Sequence, residues 1–188
     1  MVIRPVTDSD IEDILNLYTY YILNTTITFE EEVPSIEVFQ KRVESIFDRY
    51  PFIVAEDEGK IIGFAYATQF RGRSAYRWLV EVAIYVDIHY QGKGAGKKLL
   101  EVLFDIIQKL GYYDIYSVIT LPNDRSVKLF ESFGFTKNTI LKQAGYKHGR
   151  WCDAGIWVKH LREREAAPVE PESFRQFLSN NTLLSSHP

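Results

Sequence analysis

The sequence of 188 residues contains a single cysteine, Cys152, so the chain forms no disulfide bond within itself. It has no Cys-x-x-Cys or Cys-x-x-His pair, which structural zinc sites use. No apolar run approaches 18 residues, and the first stretch, MVIRPVTDSD, lacks the apolar core of a signal peptide. We therefore expect a cytoplasmic protein that uses no metal ion and does not enter a membrane.

A strong net charge is also missing, because 22 Lys and Arg residues are balanced by 25 Asp and Glu residues. Nucleic-acid-binding proteins need a broad basic surface, so nucleic acid is not expected as a partner. The hydrophobic content of 46% is ordinary for a globular domain of this length. After Leu161 the sequence becomes polar and contains three prolines. We expect one domain over residues 1–161 and a mobile or loosely packed polar tail over residues 162–188.

The spacing of apolar residues predicts the element order β-α-α-β-β-β-α-β-α-β-β. The segments FIVAE and IIGFAYATQF flank the turn DEGK, which is typical of a β-hairpin. The strand WLVEVAIYV then leads into a glycine-rich loop, an amphipathic helix and the strand YDIYSVIT. An antiparallel meander followed by one β-loop-α-β crossover predicts a single α/β domain of the α+β type.

The glycine-rich stretch QGKGAGKKLL satisfies neither of two familiar nucleotide-binding motifs. A P-loop that ends in Gly96 and Lys97 requires glycine at Gln91 and a hydroxyl residue at Lys98. A dinucleotide-binding fingerprint requires a small residue three positions after Gly94, where Lys97 stands. Glycines at a helix start still allow backbone N–H groups to converge on an anion. The stretch therefore predicts a phosphate or pyrophosphate site.

QGKGAG directly after the strand EVAIYV resembles motif A of the GNAT superfamily of acetyl-CoA-dependent N-acetyltransferases, whose Q/R-x-x-G-x-G/A pattern fits Gln91, Gly94 and Gly96. The stretch LPNDRSVKLFESFGF resembles motif B of that superfamily. With SAYRWLVEVAIYV and AGYKHGRWCDAGIW, roughly residues 2 to 160 are similar to the phosphinothricin and methionine sulfone/sulfoximine acetyltransferases. The resemblance implies the GNAT fold, a mixed, mostly antiparallel splayed sheet flanked by helices, and a homodimer.

The resemblance also implies where acetyl-CoA binds. Backbone groups of the strand would pair with the pantetheine amides, and the glycine loop, defined here as residues 91–97, would hold the pyrophosphate. Asn123 is either a helix N-cap or a cofactor contact, and both roles are compatible because they use separate groups. The expected cofactor-binding residues are Ile84, Tyr85, Val86, Gln91, Gly92, Lys93, Gly94, Ala95, Gly96, Lys97, Asn123 and Ser126.

The acceptor site is expected at Glu81, a carboxylate in an otherwise apolar strand. An isolated Glu at such a position is more often surface-facing, but the resemblance assigns the general base to it. The family holds its substrate with an Arg-x-x-Tyr segment, and a guanidinium suits an α-carboxylate or a phosphinate. The expected substrate-binding residues are Phe29, Arg73, Ala75, Tyr76 and Glu81.

Phe130 departs from the pattern of the superfamily, which often has a Tyr here to protonate the departing thiolate. A Phe has no proton to give, so we interpret it as a core residue and name no general acid. Cys152 has no identifiable basic partner and is interpreted as an inert thiol. The hairpin GYKHGRW, with Lys147, His148 and Trp151, is expected to reach the site of a dimer partner.

The sequence therefore predicts an N-acetyltransferase that moves the acetyl group of acetyl-CoA directly to an α-amino group. The implied acceptor is a small amino-acid-like amine of the phosphinothricin, methionine sulfone or methionine sulfoximine type. One alternative is an acetyltransferase for a polyamine, which an acidic cleft would favour, or for a peptide N-terminus, which an open groove would favour. Another is a non-catalytic acyl-CoA-binding domain, which Phe130 makes conceivable. Glu81 argues against it, because Arg71, Arg73 and Arg77 cluster just before its strand.

Overall fold

The structure, a computed structural model, describes residues 1–181. The elements follow the predicted order, with one helix more near the end of the chain. They are β1 (Val2–Pro5), α1 (Ile11–Asn24), α2 (Ile36–Phe47), β2 (Phe52–Asp57), β3 (Lys60–Gln69), β4 (Leu79–Val86), α3 (Ala95–Lys109), β5 (Asp114–Leu121), α4 (Asp124–Ser132), β6 (Thr136–Lys147), β7 (Arg150–His160) and α5 (Phe174–Asn180).

The strands form one seven-stranded sheet with the order β1-β2-β3-β4-β5-β7-β6. The first four strands are antiparallel neighbours, as are β5, β7 and β6. Strands β4 and β5 run parallel, and their pairing starts at Leu79 and Asp114 and ends at Glu81 and Tyr116. Beyond that point the two strands diverge. The sheet is therefore splayed at the centre, directly after Glu81.

Helices cover both faces of the sheet, and the side chains of β4 alternate between the two layers. Val80 and Val82 join the apolar cluster of α3 and α4, whereas Ala83 and Tyr85 join that of α1 and α2. Because strand side chains alternate, Glu81 belongs to the face of Ala83 and Tyr85. The only carboxylate in this strand therefore faces the layer of α1 and α2 at the point where the sheet opens.

The segment before α5 and the helix itself are fixed to the domain. Phe174 is fully buried and Phe177 nearly so, both in the cluster around α3. The indole Nε1 of Trp78 donates a hydrogen bond to the carbonyl oxygen of Val169 at 2.8 Å. The loose packing that the polar composition predicts does not hold here. The boundary at residue 161 stays a prediction, and residues 182–188 lie outside the described part of the chain.

Residues 1–181 lack two features that would indicate a membrane protein or a metalloprotein. Helices of sufficient length and apolar character to cross a bilayer are not found in this range. Nor does the same range contain a group of three or more His, Cys, Asp and Glu side chains placed to hold a metal ion.

Candidate active site

The divergence of β4 and β5 opens a cleft with two connected cavities. The outer cavity, about 520 Å³, is lined by the glycine loop and the start of α4. The inner cavity, about 280 Å³, lies between β4, β5 and the α1–α2 loop and is lined in part by Glu81. The residues that line both cavities, and so mark their junction, are Ile27, Ile84, Asn123 and Ser126.

The glycine loop has the backbone conformation expected for an anion site. Gly92 and Gly94 have φ of +78° and +87°, a region that residues with a Cβ rarely adopt. Gly94 is the N-cap of α3, so the first-turn N–H groups that follow have no carbonyl partner within the helix. Gly92, Gly94, Gly96 and Lys97 all line the outer cavity. The loop therefore combines free donors with the positive end of a helix dipole, which fits a pyrophosphate.

Gln91 connects the glycine loop to three other elements. Its Nε2 donates to the Oη of Tyr21 at 3.0 Å, and that hydroxyl donates to the carbonyl oxygen of Val86. Arg125, at the start of α4, donates to the Oε1 of Gln91. Burial raises the pKa of Tyr21 above its ordinary value, so its hydroxyl stays a donor at neutral pH. Sequence reasoning found Gln91 but missed Tyr21 and Arg125, which are distant in the chain.

The end of β4 presents a strand edge to the cleft. Ile84 and Val86 pair with Ala65 and Gly63 of β3 on one side, and the pairing with β5 on the other side ends earlier, at Glu81. The N–H and carbonyl groups of Val86 are held by the Oη of Tyr21, so an extended amide chain would add to this edge at Ile84, through main-chain hydrogen bonds. This is the arrangement expected for the pantetheine arm.

Asn123 has the N-cap role that the sequence left open. Its side-chain oxygen accepts a hydrogen bond from the backbone N–H of Ser126 at 3.2 Å. Since both residues also line the junction of the two cavities, a cofactor contact by the remaining amide nitrogen or the Ser126 hydroxyl stays compatible with the cap. Phe130, one turn further along α4, is 2% exposed and packs against Phe104 and Phe135. Phe130 is thus a core residue, as interpreted from the sequence, and it also lines the inner cavity.

Glu81 is partly buried in the wall of the inner cavity. Burial raises its pKa above the ordinary value, and the positive charge of Arg71 partly opposes this effect. A carboxylate with a raised pKa is suited to accept a proton from an ammonium group. Phe29 lines the same cavity, and its ring lies where a side chain at Gly145 would be, within 2.8 Å of that Cβ position. The structure thus brings Phe29 and Glu81 together.

The structure places Arg73, Ala75 and Tyr76 elsewhere. They form a short turn before β4, and Arg73 and Tyr76 are exposed. Ala75 lines a separate cavity of about 240 Å³ together with Trp78. None of the three lines the inner cavity as the described residues define it. Their roles in substrate binding stay predictions.

Arg71 is the arginine whose charge acts on Glu81. Its guanidinium lies 4.9 Å from the ring centre of Phe70. Phe70 in turn stacks on Tyr116, with ring centres 3.9 Å apart, and Tyr116 is the β5 partner of Glu81. The stack lies beside Glu81, and Arg71 is in contact with it, although nothing in the sequence favours Arg71 over Arg73.

The β6–β7 hairpin divides into a buried and an exposed part. Lys147 is 1% exposed and donates to the carbonyl oxygen of Thr28 in its own chain, at 2.8 Å. The expectation that Lys147 reaches a partner is therefore wrong, because this contact within the chain holds its ammonium. Tyr146 and Trp151 are 55% and 61% exposed and pack edge to face at 5.4 Å. They form an aromatic patch on the surface.

Several residues of the inner cavity were not identified from the sequence. Glu30 stands in the run EEE, which is typical of a solvated loop. Tyr18 and Tyr66 lie in apolar patterns that predict core positions. A carboxylate or hydroxyl in such contexts gives no local signal, because its role depends on distant neighbours. The missed residues are Tyr18, Thr28, Glu30, Tyr66, Ser117 and Thr120.

Comparison with known proteins gives consistent matches. Residues 3–156 match the acetyltransferase (GNAT) domain family. Phosphinothricin N-acetyltransferase of Streptomyces viridochromogenes is 39% identical over 90% of this chain and 93% of its own. L-methionine sulfoximine/L-methionine sulfone acetyltransferase of Salmonella typhimurium is 31% identical over 88% and 98%. The crystal structure of a GNAT superfamily phosphinothricin acetyltransferase from Sinorhizobium meliloti in complex with AcCoA superposes with a TM-score of 0.86 at 37% identity, over 91% and 94%.

Proposed function

Since the chain belongs to the GNAT acetyltransferase family and is an acetyl-CoA-dependent N-acetyltransferase, we propose that its acceptor is the α-amino group of a small amino-acid-like molecule. Phosphinothricin, methionine sulfone and methionine sulfoximine are the candidates, because relatives named for these substrates match nearly the whole chain. The observation that carries the proposal is the inner cavity. Its volume of about 280 Å³ suits a small amino acid, and it contains Glu81. A peptide would need an open groove. The two carboxylates that line the cavity, Glu30 and Glu81, would also suit a polyamine, so a polyamine is the second candidate and is tested beside the amino-acid analogues.

Each residue group has a defined task in this proposal. When bound, acetyl-CoA supplies an activated thioester carbonyl and a thiol leaving group. The glycine loop binds the pyrophosphate, and the edge of β4 at Ile84 orients the pantetheine arm. Glu81 accepts the proton of the acceptor ammonium, which frees the amine for attack. Transfer is direct, since Cys152 is 3% exposed and its thiol lies against the carbonyl oxygen of Arg150.

We extend the proposal to a homodimer in the cytoplasm, where acetyl-CoA is available. The support for the dimer is the patch of Tyr146 and Trp151 on a hairpin that includes the edge strand β6. Exposed aromatic side chains of this size are typical of protein interfaces. Light scattering should give twice the protomer mass, and Trp151→Glu should reduce it to that of one protomer. A wild-type protomer mass would contradict this part of the proposal.

We expect Arg71→Gln to move the acidic limb of the kcat/KM profile to higher pH. A general base must be deprotonated, so kcat/KM falls as the pH drops through the pKa of Glu81. Burial raises that pKa and Arg71 lowers it, so removing the guanidinium should raise it further. Thiol release from acetyl-CoA, measured across the acidic and neutral range, gives the profile. Arg73→Gln serves as the comparison. The placement of Arg71 near Glu81 would be contradicted if the acidic limb of Arg71→Gln kept its wild-type pH, or if the limb of Arg73→Gln moved by the same amount.

A further inference from the structure

The inner cavity is lined by a second carboxylate, Glu30, whose place is fixed by neighbouring side chains. Its Oε1 accepts a hydrogen bond from the Nη1 of Arg42 at 2.5 Å and another from the Oη of Tyr18 at 3.2 Å. Its backbone N–H donates to the Oγ1 of Thr28 at 3.2 Å. Lys147 binds the carbonyl oxygen of Thr28 from the other side. A carboxylate held by this many contacts is a built feature of the cavity.

The remaining oxygen of Glu30 is free to meet a ligand. Within residues 1–181, Oε2 has no hydrogen-bond partner, and a third of the Glu30 side chain is exposed. Arg42 contacts Oε1 and lies over the ring of Phe39 without lining the cavity, so the ion pair has no net charge but its carboxylate end, not its guanidinium, lines the cavity. Glu30 therefore lines the cavity with a carboxylate whose Oε2 is unpaired within residues 1–181 and can accept a hydrogen bond from a ligand.

Glu30 lies next to Phe29, one of the expected substrate-binding residues. Glu30 follows Phe29 directly, and both line the cavity that contains Glu81. Tyr66 lines the cavity too. Burial raises the pKa of its hydroxyl, and the charges of Glu30 and Glu81 raise it further. An acceptor molecule with its amine at Glu81 would have its other end within this cavity. Glu30 is thus placed to contact that other end.

We propose that Glu30 determines which side chain of the acceptor is preferred, favouring a neutral side chain with an N–H donor over an anionic one. This inference rests on the proposed function. A free carboxylate oxygen accepts a hydrogen bond from the N–H of a sulfoximine. It repels a phosphinate, and an unpaired repulsive contact is an effective means of discrimination. A sulfone has no donor and no net charge, so it is intermediate.

The test compares kcat/KM of wild type and Glu30→Gln for L-methionine sulfoximine, L-methionine sulfone and L-phosphinothricin at saturating acetyl-CoA. Gln keeps the size of the side chain and can still accept from Arg42 and Tyr18, but it lacks the charge. The ratio of kcat/KM for L-phosphinothricin to kcat/KM for L-methionine sulfoximine should rise on the order of tenfold in the variant. Glu32→Gln is the matched control, because it removes the same charge from an exposed position in the same loop, and its ratio should equal that of wild type.

Arg42→Gln provides a second variant with an effect of opposite sign. Without Arg42 the charge of Glu30 is no longer neutralised, so the same ratio should fall. If Glu30 only anchors the loop, or binds the ammonium, Glu30→Gln lowers kcat/KM for all three compounds by the same factor, and the ratio stays constant. This result would overturn the inference and leave the proposed function intact. A wild-type enzyme that acetylates none of the three compounds overturns both.

Discussion

Replacing Glu81 by Gln should lower kcat by about 10²- to 10⁴-fold, the usual contribution of a positioned general base. Glu81 lies in the wall of the inner cavity, where burial raises its pKa and prepares it to take a proton from an ammonium group. Gln has the same shape and cannot accept that proton. The affinity for acetyl-CoA should stay nearly unchanged, because the glycine loop lines the outer cavity, whereas Glu81 lines the inner one.

Two measurements check this prediction. Steady-state thiol release gives kcat, and calorimetric titration gives the dissociation constant of acetyl-CoA. The loss in Glu81→Gln should shrink as the pH rises, because more of the acceptor amine is then deprotonated in solution. Glu12→Gln, at an exposed position of α1, is the control for the change in charge and should behave as wild type. Turnover close to wild type in Glu81→Gln would remove Glu81 from the catalytic role.

Replacing Gly94 by Val should weaken acetyl-CoA binding on the order of 100-fold, which corresponds to roughly 2.7 kcal/mol. Gly94 has φ of +87°, a conformation that costs a residue with a Cβ about 1–2 kcal/mol, and a β-branched residue is less suited still. The backbone relieves this strain by turning away from the left-handed region. The N–H groups at the start of α3 then no longer converge on one point.

Gly59→Val is a close match for this comparison. Gly59 has φ of +77° in the β2–β3 turn, and neither Gly59 nor Gly94 has an atom within 4 Å of the position where a Cβ would lie. The two variants should therefore lose similar amounts of stability in thermal unfolding. Only Gly94→Val should lose affinity for acetyl-CoA. Equal affinities in both variants would show that the glycine loop does not hold the cofactor.

The features that could be predicted from the sequence are local. Positive φ at Gly92 and Gly94, and the side of β4 to which Glu81 points, follow from short-range rules on glycine and strand alternation. The order of the elements followed from the apolar periodicity. The GNAT fold and the use of acetyl-CoA, which the motifs implied, are confirmed by the match to residues 3–156 and by the solved relative in complex with AcCoA.

The features that could not be predicted depend on pairs distant in the chain. Tyr21 and Gln91 meet across 70 positions, and Lys147 binds Thr28 across 119. From the sequence alone, a lysine in a hairpin is predicted to be exposed to solvent. Its burial becomes apparent only when the position of the loop that covers it is known. Similarly, the two phenylalanines of α5 are too few to indicate a buried helix in a polar sequence. Composition reports the average character of a segment, whereas burial is decided by individual residues.

The choice between Arg71 and Arg73 shows the same limit at the active site. Both belong to the basic segment RGRSAYR, in which they flank Gly72. Arg71 is the one whose charge acts on Glu81, and it follows Phe70, which stacks on the β5 partner of Glu81. No periodicity rule applies to an irregular segment of this kind, so its side chains cannot be assigned from spacing.

The proposed reaction transfers the acetyl group of acetyl-CoA, bound in the cleft between β4 and β5, to the α-amino group of a small amino-acid-like acceptor. The most direct test is thiol release from acetyl-CoA with a panel of acceptors. It comprises L-methionine sulfone, L-methionine sulfoximine, L-phosphinothricin, their N-blocked forms, a polyamine and a peptide with a free N-terminus. We expect saturable release with at least one of the three amino-acid analogues and none with their N-blocked forms. Release with only the polyamine or the peptide, or with none of the amines, would contradict the proposed reaction.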